Sequence, residues 1–571
     1  MSQRTTPDQF DAVIIGSGVA GALVAAQLAE QGHKVLILEA GPGSLDRSRA
    51  ELVGQFAGAA AKTPESPYLP KDAKPLVQTP RSFNDDYFAQ EGGAGGPAFK
   101  SNYERRVGGS TWHWLGNCPR HIPADFSLRS RYGVGVDWPI GYVDLEPWYC
   151  AAERELGVSG DHDAWQGLLG GYRSQPFPMT KIWPSFGDQW VIDHLRDATV
   201  DGVAVTPIST PQARNSGPYQ GRPACAGNSS CVPICPIQAK YDATVHLKAA
   251  TRHPHNPAEL RSHAVVVNLE LDPSDAVSHV VYRPWDGRHR GEPVRVGARV
   301  VVVAANAIET AKLLLLGRCE QAPNGLANSS DQVGRNLMDH LQGEVVCLTP
   351  DPIYPFRGPP TTSGIDGFRD GPFRSEHAAF RMSLGNDGWG RSEPPDVSLA
   401  HLLDRHIFGR DLQVQLRDRI TRQLRISYST EVLPDPGNRV RLSEQLDNFG
   451  LPRPRIDFTL SEYNRRAFAR AKLIAAQIFS RLDATEIKVV NDDPDAYSGA
   501  GHIMGTVRMG NDPATSVVDR HCITHDHPNL VLVGSGVFAT AGTANPTLTL
   551  AALALRAANT LDTILRATPR P

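Results

Sequence analysis

The chain has 571 residues, 40% hydrophobic and 21% charged, which excludes a disordered, collagenous or simple coiled-coil protein. Its formal net charge of -3 lacks the basic excess of a nucleic-acid binder. Eight cysteines are too few for a disulfide scaffold, yet Cys225, Cys231 and Cys235 crowd into one short stretch.

The N-terminus shows neither a basic region leading into an apolar one nor a twin-arginine pair, so no export signal is expected. Residues 11–15 read as a buried strand, 19–31 as a helix and 34–39 as a second strand. Gly16, Gly18 and Gly21 form G-x-G-x-x-G at the first turn of this βαβ unit. Gly16 permits the tight turn, Gly18 lets a pyrophosphate approach, and Gly21 allows close helix–strand packing. Glu39 ends the second strand, placed for a free ribose 2′-OH, which suits FAD or NAD rather than NADP.

Residues 46–99 are Gly/Ala/Pro-rich and read as an excursion or lid. The cysteines follow C-x5-C-x3-C-P, a short loop suited to a metal. No partner His pair stands at zinc-finger spacing, and three thiolates without a fourth suit a [3Fe-4S] cluster. Zinc, or a disulfide plus a free thiol, is the alternative. Val265–Val267 and Val300–Val303 read as further strands, with Val265 placed against the cofactor. Helices are expected near 410–424 and 461–482, and alternating strands at 439–442 and 455–459. Leu530–Leu555 carries no charge, but its glycines, Asn545 and Pro546 argue for a strand, a loop and a helix rather than a membrane span.

His502 to Gly510 fits H-x-x-G-T-x-x-M-G, and Asn545-Pro546-Thr547 follows a strand-like run. With the N-terminal fingerprint, this resembles the glucose-methanol-choline (GMC) family of FAD-dependent alcohol oxidoreductases. Gly108-Gly109-Ser110 resembles the family segment behind the flavin, and Ala304–Thr310 the segment returning the chain to the FAD domain. Gly534-Ser535-Gly536 departs from the family, which often has Asp there.

The resemblance implies His502 as the base taking the hydroxyl proton while hydride passes to flavin N5, and Asn545 as the group binding the developing alkoxide. Asn545, Pro546 and Thr547 also fall at the cofactor. In some members a His at the offset of His113 is bonded to the flavin; otherwise it packs near the ring. His521, His525 and His527 read as ordinary residues.

The cysteine loop resembles the catalytic subunits of bacterial membrane-bound sugar dehydrogenases, where such a run holds a [3Fe-4S] cluster. Their frequent fourth Cys is replaced here by Ala224 or Ala226. This resemblance implies a small chaperone-like subunit carrying the export signal and a multihaem cytochrome c. It further implies a place on the periplasmic side of the inner membrane, with a cytoplasmic enzyme as the alternative.

The expected fold is α/β. A Rossmann-like FAD-binding domain covers 1–45, 100–135, 215–345 and 495–571, with the cluster loop at about 215–240. A substrate domain of antiparallel sheet plus helices covers 136–214 and 346–494. The expected activity is a glucose-type aldose or glucoside dehydrogenase. Fructose, sorbitol, gluconate and a glucoside C3 hydroxyl stand as alternative substrates. An O2-using oxidase and a non-catalytic electron-transfer subunit are the rival functions.

Overall fold

The computed structural model describes residues 9–59, 87–89, 99–286, 289–387, 393 and 395–567. Most of the expected excursion at 46–99 lies outside these residues; its described part includes the helix Arg49–Gly58.

A seven-stranded sheet holds the dinucleotide fingerprint. The strand Gln9–Ile15 lies at its centre, paired in parallel with Val35–Leu38 on one side and Val294–Val303 on the other. Glu259–Arg261 extends the sheet beyond Val35–Leu38, and Leu530–Leu532 pairs in parallel with Val301–Val303. Val277–Pro284 and Ala264–Leu271 complete it as antiparallel strands. The central strands are continuous apolar runs because elements cover both faces.

The helix Val19–Glu30 packs between Thr244–Thr251 and the C-terminal helix Thr547–Ala567. The latter is long and apolar enough to cross a membrane, yet Leu548, Ala551, Ala552, Leu555 and Leu561 are buried inside the fold. His33 Nε2 lies 2.7 Å from Asp562 Oδ1, joining the first helix to the last. The expected α/β class and the strands at 11–15, 34–39, 265–267 and 300–303 are found.

A second, fully antiparallel sheet faces the first across a cavity. Its order is Thr485–Val490, Leu341–Leu348, Gln423–Thr430, Phe380–Gly385, Ser363–Ile365 and Ile208–Ser209. Side chains alternate across it. Val345, Leu424, Ile426, Phe380, Met382 and Leu384 are buried hydrophobics. The helix Glu462–Arg481 packs on strands of this sheet, with Phe468 edge-on to Tyr428. Gln342, Glu344, Ser427, Ser429, Arg381 and Ser383 face the cavity.

This roof differs from expectation in membership. The expected strands near 439 and 455 form a separate hairpin, Arg439–Leu446 with Pro452–Asp457. The expected helix near 410–424 ends at Thr421, and a roof strand starts at Gln423. Leu341–Leu348 runs across residue 345, where the sequence suggested a domain boundary.

Candidate active site

A cavity of about 730 Å³ lies between the two sheets. Its floor is the glycine turn. Gly16 has φ +102°, and a Cβ there would stand 2.7 Å from the Ala304 carbonyl oxygen. A Cβ on Gly21 would stand 2.1 Å from the Gly16 carbonyl oxygen, so the helix can seat only without a side chain. A Cβ on Gly18 would meet nothing within 4 Å, which leaves the open approach a pyrophosphate needs. Gly18 is also the N-cap of Val19–Glu30 and supplies no side-chain cap, so the helix N–H groups stay available to an anion.

Glu39 lines the cavity but is already engaged. Ser17 N and Oγ donate to its Oε2 at 3.0 and 2.6 Å, and Gly41 N donates to Oε1 at 2.8 Å. Gly109, Ser110, His113, Val265, Pro546 and Thr547 also line the cavity. Gly21 and Gly108 act behind it, Gly108 N donating to Ser17 Oγ at 3.3 Å. The cradle therefore fits FAD in its glycines, its free helix N-terminus and its acidic residue.

His502 and Asn545 line the same cavity and meet there. Asn545 Nδ2 lies 3.0 Å from His502 Nε2. Sequence reasoning missed a third member, His340, whose Nδ1 lies 2.8 Å from His502 Nδ1. His340 Nε2 lies 2.9 Å from the Gly542 carbonyl oxygen. A carbonyl only accepts, so His340 carries its proton on Nε2 and accepts at Nδ1. His502 must then carry its proton on Nδ1, which leaves a lone pair on Nε2 toward Asn545.

Backbone contacts hold this pair. Met338 and Met504 form an antiparallel bridge, and Asp339 Oδ1 accepts from the N–H of His340, Ala500 and His502 at 2.7, 3.2 and 2.9 Å. Gly505 has φ +73°, and a Cβ there would stand 1.9 Å from the Asn336 carbonyl oxygen. That contact explains the glycine of H-x-x-G. Asp339-His340 could have been found as an acidic–imidazole pair just before a strand, but nothing in the sequence ties it to a loop 162 residues away.

Burial sets the protonation of the site. It pushes His502 well below its ordinary value, with His340 adding to the effect. His340 is lowered to about 4 and His121 to about 4, burial being the first cause in each. His113 is lowered to about 3 by burial, then by Lys240 and Arg106. Asp339 is raised to about 6 by burial, against its hydrogen bonds.

An unfolded chain would protonate these imidazoles below pH 6.5, while the folded chain resists. Their stability contribution is therefore complete above pH 6.5 and lost as pH falls toward 4. Asp339 opposes this, as do Glu39, Asp188 and Glu431, which burial also raises, while Glu153 and Glu309, held low by arginines, add to the loss at low pH. The thermal midpoint should fall steadily from pH 6.5 to 4 in differential scanning fluorimetry. An unchanged midpoint would overturn this reading.

The thiol loop lies beside the cavity wall. Cys225, Cys231 and Cys235 are all free thiols, so the disulfide alternative is not formed. Burial pushes the Cys231 thiol up, while Arg214 and Lys240 pull it back. Arg214 Nη1 stands 3.4 Å from Cys231 Sγ. Among the described residues, no group of three His, Cys, Asp or Glu side chains is arranged to hold a metal ion. The donor types thus suit a thiolate-bound group, without a converged ligand set. Lys240 Nζ donates to the carbonyls of Trp112, Trp114 and Cys231, tying this loop to the turn that carries His113.

Comparison with known proteins places this geometry. The GMC oxidoreductase profile matches residues 434–554, and an FAD dependent oxidoreductase profile matches residues 11–83. The fructose dehydrogenase large subunit of Gluconobacter japonicus is 37% identical over 96% of this chain and 97% of its own. The chain belongs to the GMC oxidoreductase family. Paromamine 6'-oxidase of Streptomyces fradiae is 31% identical, covering 96% of this chain and 90% of that protein. The crystal structure of a pyridoxine 4-oxidase from Mesorbium loti shares the fold, with TM-score 0.63, 19% identity and coverage of 96% and 98%. As a GMC oxidoreductase, this protein is an FAD-dependent oxidoreductase, and the glycine turn on the floor of the cavity has the features that cofactor needs.

Proposed function

We propose that this GMC oxidoreductase is the catalytic subunit of a dehydrogenase oxidising a CH–OH group of a sugar or polyol, with an acceptor other than NAD or O2. A glucose-type aldose or glucoside is the leading substrate. The observation that carries this reading is the polar roof of the cavity that also holds the His502–Asn545 pair, where Gln342, Ser383, Ser427 and Ser429 offer a wall of hydrogen-bonding groups. Such a wall suits a many-hydroxyl substrate. The fructose dehydrogenase relative supports the substrate class, and its description as a large subunit supports partner subunits.

FAD, held on the glycine turn, supplies the hydride acceptor. His502 Nε2 takes the hydroxyl proton, in the place where Asn545 now donates to it. Asn545 then turns its N–H onto the substrate oxygen as negative charge builds there. His340 Nδ1 accepts a hydrogen bond from the His502 Nδ1–H, which stays on His502 and so keeps Nε2 the basic nitrogen throughout.

Cys225, Cys231 and Cys235 are the proposed ligands of a [3Fe-4S] cluster, which would supply one-electron chemistry beside the flavin. A small subunit and a multihaem cytochrome c belong to the same proposal, as does a place at the periplasmic face of the inner membrane. An O2-using oxidase is the second reading, favoured by the paromamine oxidase relative.

One preparation tests both parts. Neutral sugars and polyols should reduce an artificial dye through the FAD-loaded protein much faster than they form peroxide. Iron and acid-labile sulfide should accompany the flavin. Peroxide formation as fast as dye reduction favours the oxidase. Iron near zero at full flavin loading removes the cluster.

A further inference from the structure

The strand register divides the roof into cross-strand rows. Gln342, Ser429 and Arg381 form the row nearest His340. Glu344, Ser427 and Ser383 form the next, and Val346, Arg425 and Gly385 the third. Alternate residues on one strand stand about 7 Å apart, so a six-carbon substrate with a hydroxyl at His502 lies under the first two rows.

Both guanidinium groups on this wall are already paired with carboxylates. Arg381 donates to Asp366 Oδ1 at 2.9 Å, to Ser383 Oγ at 2.9 Å and to Thr210 Oγ1 at 2.7 Å. Arg425 donates to Glu344 Oε1 at 2.8 Å and to both Asp387 oxygens at 2.9 Å. Arg105 and Lys312, the other cations lining the cavity among the described residues, lie at the dinucleotide end, paired with Glu309 and Asp447. A substrate carboxylate under the roof would thus find each cation neutralised and Glu344 beside it. Neutral hydroxyls find serines and an amide.

We infer that this cavity selects an uncharged polyol and rejects the matching sugar acid, and that the Glu344–Arg425 pair sets that choice. The inference rests on the polyol reading above, which it sharpens. Like charges placed together disfavour the wrong partner strongly, so discrimination of at least about 100-fold is expected.

The test is anaerobic reduction of the bound FAD by two matched pairs, sorbitol against gluconate and glucose against glucuronate. The neutral member should reduce the flavin at least about 100-fold more efficiently. Glu344→Gln removes a negative charge and releases one edge of Arg425, so the preference should narrow at least about tenfold, through the KM of the acid rather than the kcat of the neutral partner. Arg425→Met leaves both carboxylates and should widen the preference. The inference is overturned if the acid stays within tenfold of its neutral partner in the wild type. It also falls if both variants keep the wild-type flavin spectrum and the wild-type ratio. If no member of either pair reduces the flavin while a simple alcohol does, the polyol reading falls and this inference with it.

Discussion

Replacing His502 by alanine should slow flavin reduction by roughly 10²–10⁴-fold, the range a positioned general base contributes, while FAD stays bound. His502 touches Asn545 and His340 through its two ring nitrogens and makes no hydrogen bond to the glycine turn. Its removal takes the proton acceptor without disturbing the pyrophosphate cradle. Because burial keeps His502 neutral well below its ordinary pKa, the wild-type rate should hold level from neutral pH into the acid range. The alanine variant should instead gain rate with rising pH, as hydroxide replaces the lost base. A variant with bound flavin and undiminished flavin reduction would remove His502 from the chemistry. His340→Phe should give an intermediate loss, since the base remains but its tautomer is no longer held.

Replacing Arg374 by alanine should be among the most destabilising single changes in the protein, costing about 3–5 kcal/mol. Arg374 is fully buried, 3.0 Å from Asp125 Oδ1 and 3.0 Å from Glu431 Oε2. Without it, two buried carboxylates face each other with no cation between them. The damage should reach the active site, because Gly542, whose carbonyl accepts from His340, packs against this triad: a Cβ on it would stand 2.9 Å from Asp125 Oδ2. Arg369, donating to Thr543 Oγ1 at 2.9 Å, holds the same loop from the other side. Thermal unfolding should start well below the wild-type temperature, with early flavin release. Adding Asp125→Asn and Glu431→Gln to Arg374→Met should recover much of the loss. A wild-type midpoint for Arg374→Ala would show that the triad is not the anchor described here.

The sequence disclosed those parts of the molecule where a local rule does the work. The βαβ unit is legible because Gly16, Gly18 and Gly21 sit between a strand pattern and a helix pattern, and their spacing has one physical purpose. His502 is legible because its loop needs Gly505, and the pair makes a motif. An antiparallel roof was expected, but its membership was hidden because its strands pair out of chain order, Leu341–Leu348 lying between Thr485–Val490 and Gln423–Thr430. The hairpin at 439–457 shows the converse: its strands were visible, but their partner was not. His340 stayed hidden because only a tertiary bridge, Met338 with Met504, brings it to His502.

The junction between the first helix and the last has a consequence for how the protein is made. Strand Leu530–Leu532 and helix Thr547–Ala567 complete the layer around the glycine turn, and His33 meets Asp562 across 529 residues. A nascent chain that has exposed its fingerprint therefore still lacks one wall of the fold that supports it. Firm capture of the dinucleotide must wait until the ribosome has delivered nearly the whole polypeptide, and until then the apolar face of Val19–Glu30 is a surface for chaperones to guard.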